Sequence, residues 1–480
     1  MFVDTDILYL LPEIVLLLGL LWLLIFGTFR GADAEPATSR LVMVLLAIVT
    51  ILIVTRGPGA TRVFSDLLIL DSYGRFMKTL VLLGGIMTLA ISTGYRRAEG
   101  LMQHEYPVLI GFATLGMLLM ISANDLMSLY LAIELQSLSL YILAAFDRNS
   151  GRSTEAGLKY FVLGALSSGL LLYGCSFIYG SVGSTSFEVI TQTIKIGETP
   201  SSAFVVGLVL LCCGLAFKIS AVPFHMWTPD VYEGSPTSVT AFFSVAPKIA
   251  ALSLLMRLLV DAFPGATPQW QQVIVLLSIG SMVLGSAIAV FQTNIKRLMA
   301  YSAIAHVGYA LMGIATGVES GFQSVIIYLV IYLVLVVGIF GCILCMKSNE
   351  NMLENIEDLA GIGATKPLLA IALTVLLLGL AGIPPMAGFF AKFYVFMSAL
   401  QSGLYWLVLI GALSTVVGAF YYLRIIKFMY FDSPKYEFDK TFGREVNFVI
   451  ALCTLFALFF FVNPSPIVLR AAHAAASLFS

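Results

Sequence analysis

The chain has 480 residues, of which 59% are hydrophobic and 11% are charged, and its formal net charge is −1. A soluble protein of this length could not cover so much apolar surface, because its exterior must be mostly polar. The composition therefore excludes a water-soluble globular protein and indicates a chain whose outer surface faces lipid.

Apolar runs long enough to cross a bilayer, about 20 residues each, recur along the whole chain. They predict an all-α polytopic membrane protein with about 14 transmembrane helices. The first run, LYLLPEIVLLLGLLWLLIF, lacks a basic leader and a small-residue cleavage site, so we expect a retained membrane helix. The predicted spans are 7–27, 40–56, 73–94, 106–121, 125–146, 154–180, 203–221, 236–260, 270–291, 297–316, 321–346, 366–399, 403–430 and 446–462.

Basic residues in the loops orient these spans. An N-terminus on the outer side places fifteen Lys and Arg residues inside and seven outside, in agreement with the positive-inside rule. Both termini then lie on the outer side. The residues counted at the two membrane surfaces include Lys78, Arg96, Arg257 and Lys296. Of the 26 basic residues, four remain within spans, namely Lys159, Lys218, Lys248 and Lys392.

The four lysines within spans are costly, because a lysine near the bilayer centre costs about 2.5–3.5 kcal/mol. Lys159 lies near the start of its span, so snorkelling to the interface explains it as well as a buried role does. The other three lie deeper. Glu134, in the middle of the fifth span, is the acidic residue that matches them, and we expect it to face Lys218.

A lysine of this kind can change its charge near neutral pH. Burial disfavours the ammonium form, whereas a nearby carboxylate favours it. Movement of Glu134 relative to Lys218 would therefore switch the lysine between its two protonation states. We predict a proton relay of Glu134, Lys218, Lys248 and Lys392, with Lys159 as a weaker candidate.

Prolines interrupt two spans beside these lysines. Pro223 follows Lys218 in GLAFKISAVPFH, and Pro384 and Pro385 lie in GLAGIPPMAG. Each proline removes a backbone donor and breaks the helix. Irregular backbone is tolerated at membrane depth only where protein or a wet cavity satisfies it, so the breaks predict a hydrated ion path.

The two G-L-A segments also predict an internal duplication. They fall in spans 7 and 12, as paired interruptions do in transporters that contain repeats. Spans 4–8 and 9–13 would then be two inverted five-helix repeats. The predicted divisions are an N-terminal three-helix segment at 1–105, repeats at 106–260 and 261–430, and a C-terminal helix within 431–480.

Two histidines are further relay candidates. His225 follows Pro223, and His306 lies within the tenth span. Histidine titrates near neutrality and can pass protons, but a hydrogen-bonded position in a helix interface explains each residue equally well. Asp230 and Glu233 are expected to be solvated loop charges at the inner surface.

The cysteines predict neither a metal nor a redox site. Cys342 and Cys345 form a C-x-x-C inside an apolar span, without a second pair or a nearby histidine. The sequence also lacks the cysteine spacing of an iron–sulfur cluster and the glycine pattern of a dinucleotide fold. We expect this chain to bind no cofactor and no metal.

Three segments carry a family resemblance. KISAVPFHMWTPDVYEGSPTSVTAF, NIKRLMAYSAIAHVGY and GIPPMAGFFAKFYVF resemble signature segments of the antiporter-like subunits of respiratory complex I. That family has fourteen core helices, two inverted repeats and broken helices 7 and 12. Its glutamate on helix 5, its lysines on helices 7 and 8, and its lysine or glutamate on helix 12 match Glu134, Lys218, Lys248 and Lys392.

Among the paralogues L, M and N, the chain best resembles subunit N. A lysine at 392 disfavours M, and the chain ends too soon after its fourteenth span for the lateral helix of L. The resemblance implies a proton-translocating subunit of NADH:quinone oxidoreductase in the bacterial inner membrane. NADH, FMN, iron–sulfur clusters and quinone would be held by partner subunits. Subunit M, the small membrane subunits and lipid would be neighbours, with no nucleic-acid partner.

Other membrane proteins would show similar features. A cation/proton antiporter subunit or a membrane-bound hydrogenase subunit would need the same buried lysines and helix breaks. Lysine and histidine favour protons over sodium, because a sodium site needs several oxygen ligands. A structural scaffold would not explain four lysines within spans.

Overall fold

The computed structural model describes residues 2–57, 59–194, 200–348, 351–439 and 443–480. Lys195 and Lys440, which the orientation count places in loops, lie outside these residues. The described residues form twenty α-helices and two small hairpins. The helices are α1 (Phe2–Tyr9), α2 (Leu11–Arg30), α3 (Glu35–Val54), α4 (Ser72–Ala98), α5 (Glu105–Ser122), α6 (Leu126–Ala144), α7 (Gly151–Val182), α8 (Phe187–Thr193), α9 (Ser202–Ile219), α10 (Trp227–Gly234), α11 (Thr237–Arg257), α12 (Thr267–Ala289), α13 (Ile295–Ala315), α14 (Glu319–Leu344), α15 (Ile362–Thr365), α16 (Pro367–Ala381), α17 (Ala387–Gln401), α18 (Tyr405–Phe431), α19 (Arg444–Phe459) and α20 (Ser465–Leu478).

The helices confirm the predicted membrane architecture. Within the described ranges, thirteen helical segments are long and apolar enough to cross a membrane. The predicted twelfth span is instead divided into α16 and α17, with 15 residues each, at the GIPPMAG sequence. Together these two half-helices make the fourteenth crossing, because the prolines between them prevent one continuous helix.

Two hairpins and several short helices lie outside the predicted spans. The hairpins pair β1 (Thr61–Val63) with β2 (Leu68–Leu70), and β3 (Lys347–Ser348) with β4 (Asn351–Met352). The additional helix α20 is too short to span a membrane. It packs on the first turns of α4 and α14, where the Ser477 hydroxyl accepts a 2.9 Å hydrogen bond from the Tyr73 amide.

Two helix caps reveal an internal repeat. Asp125 caps α6 by accepting from the Met127 amide, and Asn294 caps α13 by accepting from the Lys296 amide. Each cap also forms a β-bridge with the loop after the next helix, Asp125 with Ser186 and Asn294 with Asn355. The number of residues from Asp125 to Asn294 equals the number from Ser186 to Asn355. The caps therefore occupy equivalent places in two copies of one motif.

Helix packing follows the same duplication. The first two helices of each predicted repeat pack together, α5 on α6 and α12 on α13. The third helix of each repeat packs on the broken fourth, α7 on α9 and α14 on both α16 and α17. These contacts support the five-helix units, whose residue boundaries remain a prediction.

Burial distinguishes a central layer from a lipid-facing rim. The most apolar stretches of α11 and α13 are completely buried, whereas those of α2, α3, α18 and α19 are one-third buried. Exposed large side chains on the rim helices include Trp22 and Trp406. Exposed apolar side chains of this size are expected where a helix faces lipid.

The orientation count places Lys78, Arg96, Arg257 and Lys296 at the membrane surfaces, but it does not predict the burial of their side chains. All four side chains are buried inside the protein, and each forms an ion pair with a carboxylate. A buried charge is tolerated when such a partner lies close by. The pairs are Lys78–Glu13 at 2.5 Å, Arg96–Glu35, Arg257–Asp71 at 2.8 Å and Lys296–Glu354 at 2.6 Å.

Candidate proton-transfer site

Helix α9 places Lys218 one turn from the first helix break. The helix ends at Ile219 and helical structure resumes at Trp227, with Pro223 between them. The Val222 amide, freed by the break, donates a 2.9 Å hydrogen bond to the Ser281 hydroxyl. Protein groups thus satisfy part of the irregular backbone, as the predicted break requires.

Lys218 reaches α6 through a serine. Its ammonium donates a 2.7 Å hydrogen bond to the Ser137 hydroxyl and lies 5.9 Å from the centre of the Tyr141 ring. Glu134 is three residues before Ser137, on the same face of α6. Its Oε1 atom is buried without a hydrogen-bond partner among the described residues.

Glu134 and Lys218 therefore share one site without forming a direct ion pair in this structure. Glu134 attracts the Lys218 ammonium electrostatically, while Ser137 holds that ammonium. The expected direct contact between Glu134 and Lys218 remains a prediction.

Lys248 lies on α11 against the end of α9. Its ammonium donates a 2.8 Å hydrogen bond to the Ser220 hydroxyl and approaches the Ile219 carbonyl oxygen at 3.4 Å. Ser220 adopts a left-handed backbone conformation with φ 64°, which is uncommon for a residue with a side chain. The last carbonyls of a helix carry partial negative charge, so the break offers an electrostatic seat for this ammonium.

Lys392 occupies a similar position, next to a helix end, at the second break. Its ammonium donates a 3.0 Å hydrogen bond to the carbonyl oxygen of Ala381, the last residue of α16. It also lies 4.8 Å from the centre of the Tyr309 ring. Pro384 and Pro385 fall between α16 and α17, so the broken backbone leaves this helix end open to the lysine.

His306 lies beside Lys392 and has hydroxyl partners on both ring nitrogens. Its Nδ1 pairs with the Tyr328 hydroxyl and its Nε2 with the Tyr422 hydroxyl, the latter at 3.2 Å. His306 and Lys392 line one small cavity. An imidazole with partners on both sides can accept a proton at one nitrogen and release one at the other.

His225 has a less complete environment. It is half-buried in the segment between α9 and α10, next to Pro223. Its Nδ1 atom is buried without a hydrogen-bond partner among the described residues. A water molecule in the break would be a natural partner for this nitrogen.

Lys159 lies apart from the buried lysines, in a charge cluster at the surface that the sequence predicts to be the inner one. Its side chain is 41% exposed and forms 2.8 Å ion pairs with Glu155 and Asp230. Of the two interpretations of Lys159, this placement matches the interfacial one. Asp230 and Glu233 are only partly solvated, because both pair with Arg297, at 2.7 and 3.0 Å.

A cavity lies at the start of α11, the helix that carries Lys248, and we call it the inner-face cavity after the orientation predicted from the sequence. The cavity, of about 610 Å³, is lined by Tyr95, Glu99 and Ser235 among others. Partial burial raises the pKa of the Glu99 carboxyl, which lies just beyond the end of α4. The Ser235 hydroxyl is buried without a partner among the described residues. Water in the cavity would satisfy this hydroxyl.

Hydroxyl side chains continue from this cavity towards Lys248. Thr237, Thr240, Ser244 and Lys248 recur every three or four residues and so lie on one face of α11. Ser244 donates a 2.7 Å hydrogen bond to the Thr240 carbonyl, and its oxygen keeps acceptor capacity. This face gives a polar line between the cavity and the ammonium.

Sequence reasoning missed Ser137, Ser220 and the hydroxyl face of α11. Serine and threonine are common in membrane helices, so their presence alone indicates no function. Two signals were available. The spacing of Thr237, Thr240 and Ser244 before Lys248 is helical, and Ser137 lies as far beyond its cap as His306 does in the other repeat.

Known proteins share this architecture and much of this sequence. The family model for the transmembrane region of NADH:quinone oxidoreductase and Mrp antiporters matches residues 123–418. NADH-quinone oxidoreductase subunit N of Parvibaculum lavamentivorans is 50% identical over 98% of this chain and 97% of that protein. Subunit N of Paramagnetospirillum magneticum is also 50% identical, over 99% of this chain and 98% of that protein.

Solved structures agree with this relationship. A chain of respiratory complex I from Thermus thermophilus matches with a TM-score of 0.81 and 28% identity, over 96% of this chain and 99% of that chain. A chain of the Mrp complex from Dietzia matches with a TM-score of 0.85 and 20% identity, over 98% of each chain, and shows the fold alone. The near-complete coverage at 50% identity shows that this chain belongs to the NADH-quinone oxidoreductase subunit N family of antiporter-like membrane proteins.

Proposed function

We propose that this chain moves protons across the membrane as subunit N of NADH-quinone oxidoreductase, through Glu134, Lys218, Lys248 and Lys392. Electron transfer in other subunits of the enzyme drives the movement. Membership in the subunit N family and the complex I fold support the enzyme assignment. The geometry of the buried lysines supports the roles of the individual residues.

One contrast among the buried cations carries the proposal. Lys78, Arg96, Arg257 and Lys296 are buried, and each has a carboxylate in direct contact. Lys218, Lys248 and Lys392 are 8%, 2% and 6% exposed, and their ammonium groups contact hydroxyls and carbonyls of the described residues. A buried ammonium without a neutralising carboxylate loses its proton more readily than a paired one.

The residues suggest a sequence of protonation sites. The inner-face cavity and the hydroxyl face of α11 give protons access to Lys248. Ser220 and the end of α9 connect Lys248 to the break that follows Lys218. Glu134 holds or releases the proton of Lys218 as the two approach or separate. In the second repeat, Lys392 exchanges protons with the cavity that it shares with His306.

His225 and Lys159 have secondary roles in this proposal. His225 would hold water at the first break through its unpartnered Nδ1 atom. Lys159 would act at the inner surface rather than in the buried relay, since its ion pairs with Glu155 and Asp230 are partly exposed.

Family membership also supports a setting for the chain. The chain is a multi-pass membrane protein with partners in the membrane arm, and we place it in the bacterial inner membrane with both termini on the outer side. Subunit M and the small membrane subunits would be its neighbours. NADH, FMN, iron–sulfur clusters and quinone would bind to other subunits.

Purification of the intact assembly from membranes tests the enzyme assignment. The proposal expects flavin, iron–sulfur clusters and NADH:quinone activity to co-purify with this chain. A small assembly with cation/proton exchange and no NADH oxidation would instead assign the chain to an antiporter.

A further inference from the structure

A cluster of four charged residues joins the two repeats at the inner surface. It consists of Lys159 on α7, Asp230 and Glu233 on α10, and Arg297 on α13, and we call it the inner clamp. The helices α7 and α10 belong to the first predicted repeat, and α13 belongs to the second. The relay described above does not use these contacts.

Asp230 bridges the repeats through its two carboxylate oxygens. Its Oδ2 atom accepts a 2.8 Å contact from Lys159, and its Oδ1 atom accepts a 2.7 Å contact from Arg297. Partial burial raises the pKa of the Asp230 carboxyl, but hydrogen bonds from Lys159 and Arg297 outweigh it and lower that pKa below its usual value. Asp230 therefore remains ionised at neutral pH, and the bridge stays charged.

The first turn of α13 holds α10 at two places. Arg297 contacts Glu233 at 3.0 Å as well as Asp230, and these two acids lie one helical turn apart on α10. The preceding residue, Lys296, donates a 3.2 Å hydrogen bond to the Ser235 carbonyl at the end of α10. Displacement of α10 must therefore break these contacts or move the start of α13.

Helix α10 is in direct contact with the first-repeat relay. Trp227, at its start, donates a 3.1 Å hydrogen bond to the Phe217 carbonyl of α9. The Tyr232 ring lies 5.7 Å from the Lys248 ammonium. The position of α10 thus affects both the end of the helix that carries Lys218 and the surroundings of Lys248.

Helix α13 connects the other side of the clamp to the second-repeat site. His306 follows Arg297 on the same helix, about 14 Å along its axis at 1.5 Å per residue. The described part of α13 is continuous between them. A tilt or shift imposed at Arg297 is therefore transmitted to His306 and its cavity with Lys392.

We propose that Arg297, Asp230 and Glu233 are positioning residues that couple the first-repeat break to the second-repeat proton site. This inference rests on the proposed function. The side chains of the three residues are 30–35% exposed, so each ion pair contributes little to stability. Contacts of this strength can break and re-form in each cycle.

The test compares Arg297→Gln with Arg297→Lys in the full complex within sealed membrane vesicles. The readouts are the rate of NADH oxidation and the number of protons moved per electron. Arg297→Gln should lower the proton-to-electron ratio about fivefold, the population change that corresponds to roughly 1 kcal/mol. Arg297→Lys keeps the positive charge and should restore at least half of the ratio.

Lys435→Gln is the matched control. Lys435 forms an exposed 3.0 Å ion pair with Glu357, a contact that joins inner loops rather than the two repeats. Its loss should leave the proton-to-electron ratio unchanged. An unchanged ratio in Arg297→Gln, or an equal fall in Lys435→Gln, would overturn the inference.

A second variant keeps the test informative if Arg297→Gln fails to assemble. Asp230→Asn keeps the shape of the side chain and removes its charge, and it should show the same loss of coupling as Arg297→Gln. If neither variant assembles, the contacts serve folding and the inference is wrong. Lys248→Met separates the two proposals, because normal pumping in that variant would refute the relay itself, whereas normal pumping in Arg297→Gln alone would refute only the clamp.

Discussion

The ammonium of Lys392 donates a 3.0 Å hydrogen bond to the carbonyl oxygen of Ala381 at the end of α16. Trp227 occupies the equivalent place in the first repeat when the two G-L-A segments are aligned, and its indole donates to the Phe217 carbonyl near the end of α9. At this aligned position one repeat thus has a neutral donor and the other a titratable one, whereas the titratable donor at the end of α9 is Lys248 from the neighbouring helix α11. The duplicated frame is kept while the chemistry at this position differs.

Replacement of Lys392 by arginine separates charge from proton transfer. Arginine keeps a positive donor for the Ala381 carbonyl, but it does not release its proton in proteins. We expect Lys392→Arg to assemble and to reduce proton pumping about a hundredfold, the lower end of the usual range for loss of a proton-transfer group. Proton uptake by sealed vesicles during NADH oxidation measures this effect, and Lys435→Arg is the control. Normal pumping in Lys392→Arg would show that Lys392 serves only as a fixed charge.

The Glu134–Lys218 site should be functional rather than structural. Lys218→Ala and Glu134→Ala should each abolish coupled activity while the complex still assembles, because neither side chain forms a direct ion pair that holds helices together. Assembly on native gels and proton pumping in vesicles check both parts. Full pumping in either variant would rule out the switching pair.

The Arg257–Asp71 pair should behave in the opposite way. Arg257 is completely buried, donates two hydrogen bonds to Asp71 and one to the Ile121 carbonyl, and so joins α11 to α4 and α5. Removal of one partner of such a pair costs about 3–5 kcal/mol. Arg257→Met should therefore lower the amount of assembled complex and its thermal stability.

A second change identifies the cause of that loss. Asp71→Leu combined with Arg257→Met removes both members of the buried pair and leaves only the partly exposed Asp261 carboxylate, which contacts Arg257 at 3.1 Å, without its partner. The double variant should therefore recover part of the stability. Equal instability of the single and double variants would assign the defect to lost hydrogen bonds rather than to an uncompensated charge.

Gly388 should be essential for the second break. A Cβ atom at this position would lie 1.8 Å from the Gly379 carbonyl oxygen, where no heavy atom fits. Gly388→Ala must therefore push α17 away from α16 and displace Lys392 from the Ala381 carbonyl. We expect this variant to lower both stability and proton pumping, as measured by thermal unfolding and by vesicle assays.

Gly169 on α7 supplies the comparison for Gly388. A Cβ atom at Gly169 meets no heavy atom within 4 Å, so Gly169→Ala should be neutral or slightly stabilising in a helix. If both alanine variants behave alike, close packing at the second break is not what Gly388 provides.

The sequence by itself determined the membrane class, the fourteen crossings, the two breaks and the three deep lysines. These features are local, because the hydropathy of about 20 residues decides a span and a proline acts on its own turn. A lysine after a long apolar run is likewise recognised from its neighbours in sequence. The family resemblance added residue roles that composition alone does not provide.

Only the tertiary structure decided which buried cations are paired. Arg257 finds Asp71 from 186 residues away, and Lys78 finds Glu13 from 65 residues away, so no local pattern marks either pair. The same holds for Ser137 beneath Lys218 and for Arg297 against α10. The free energy of a buried charge depends on what other helices bring to it, and that is settled only when the helices pack.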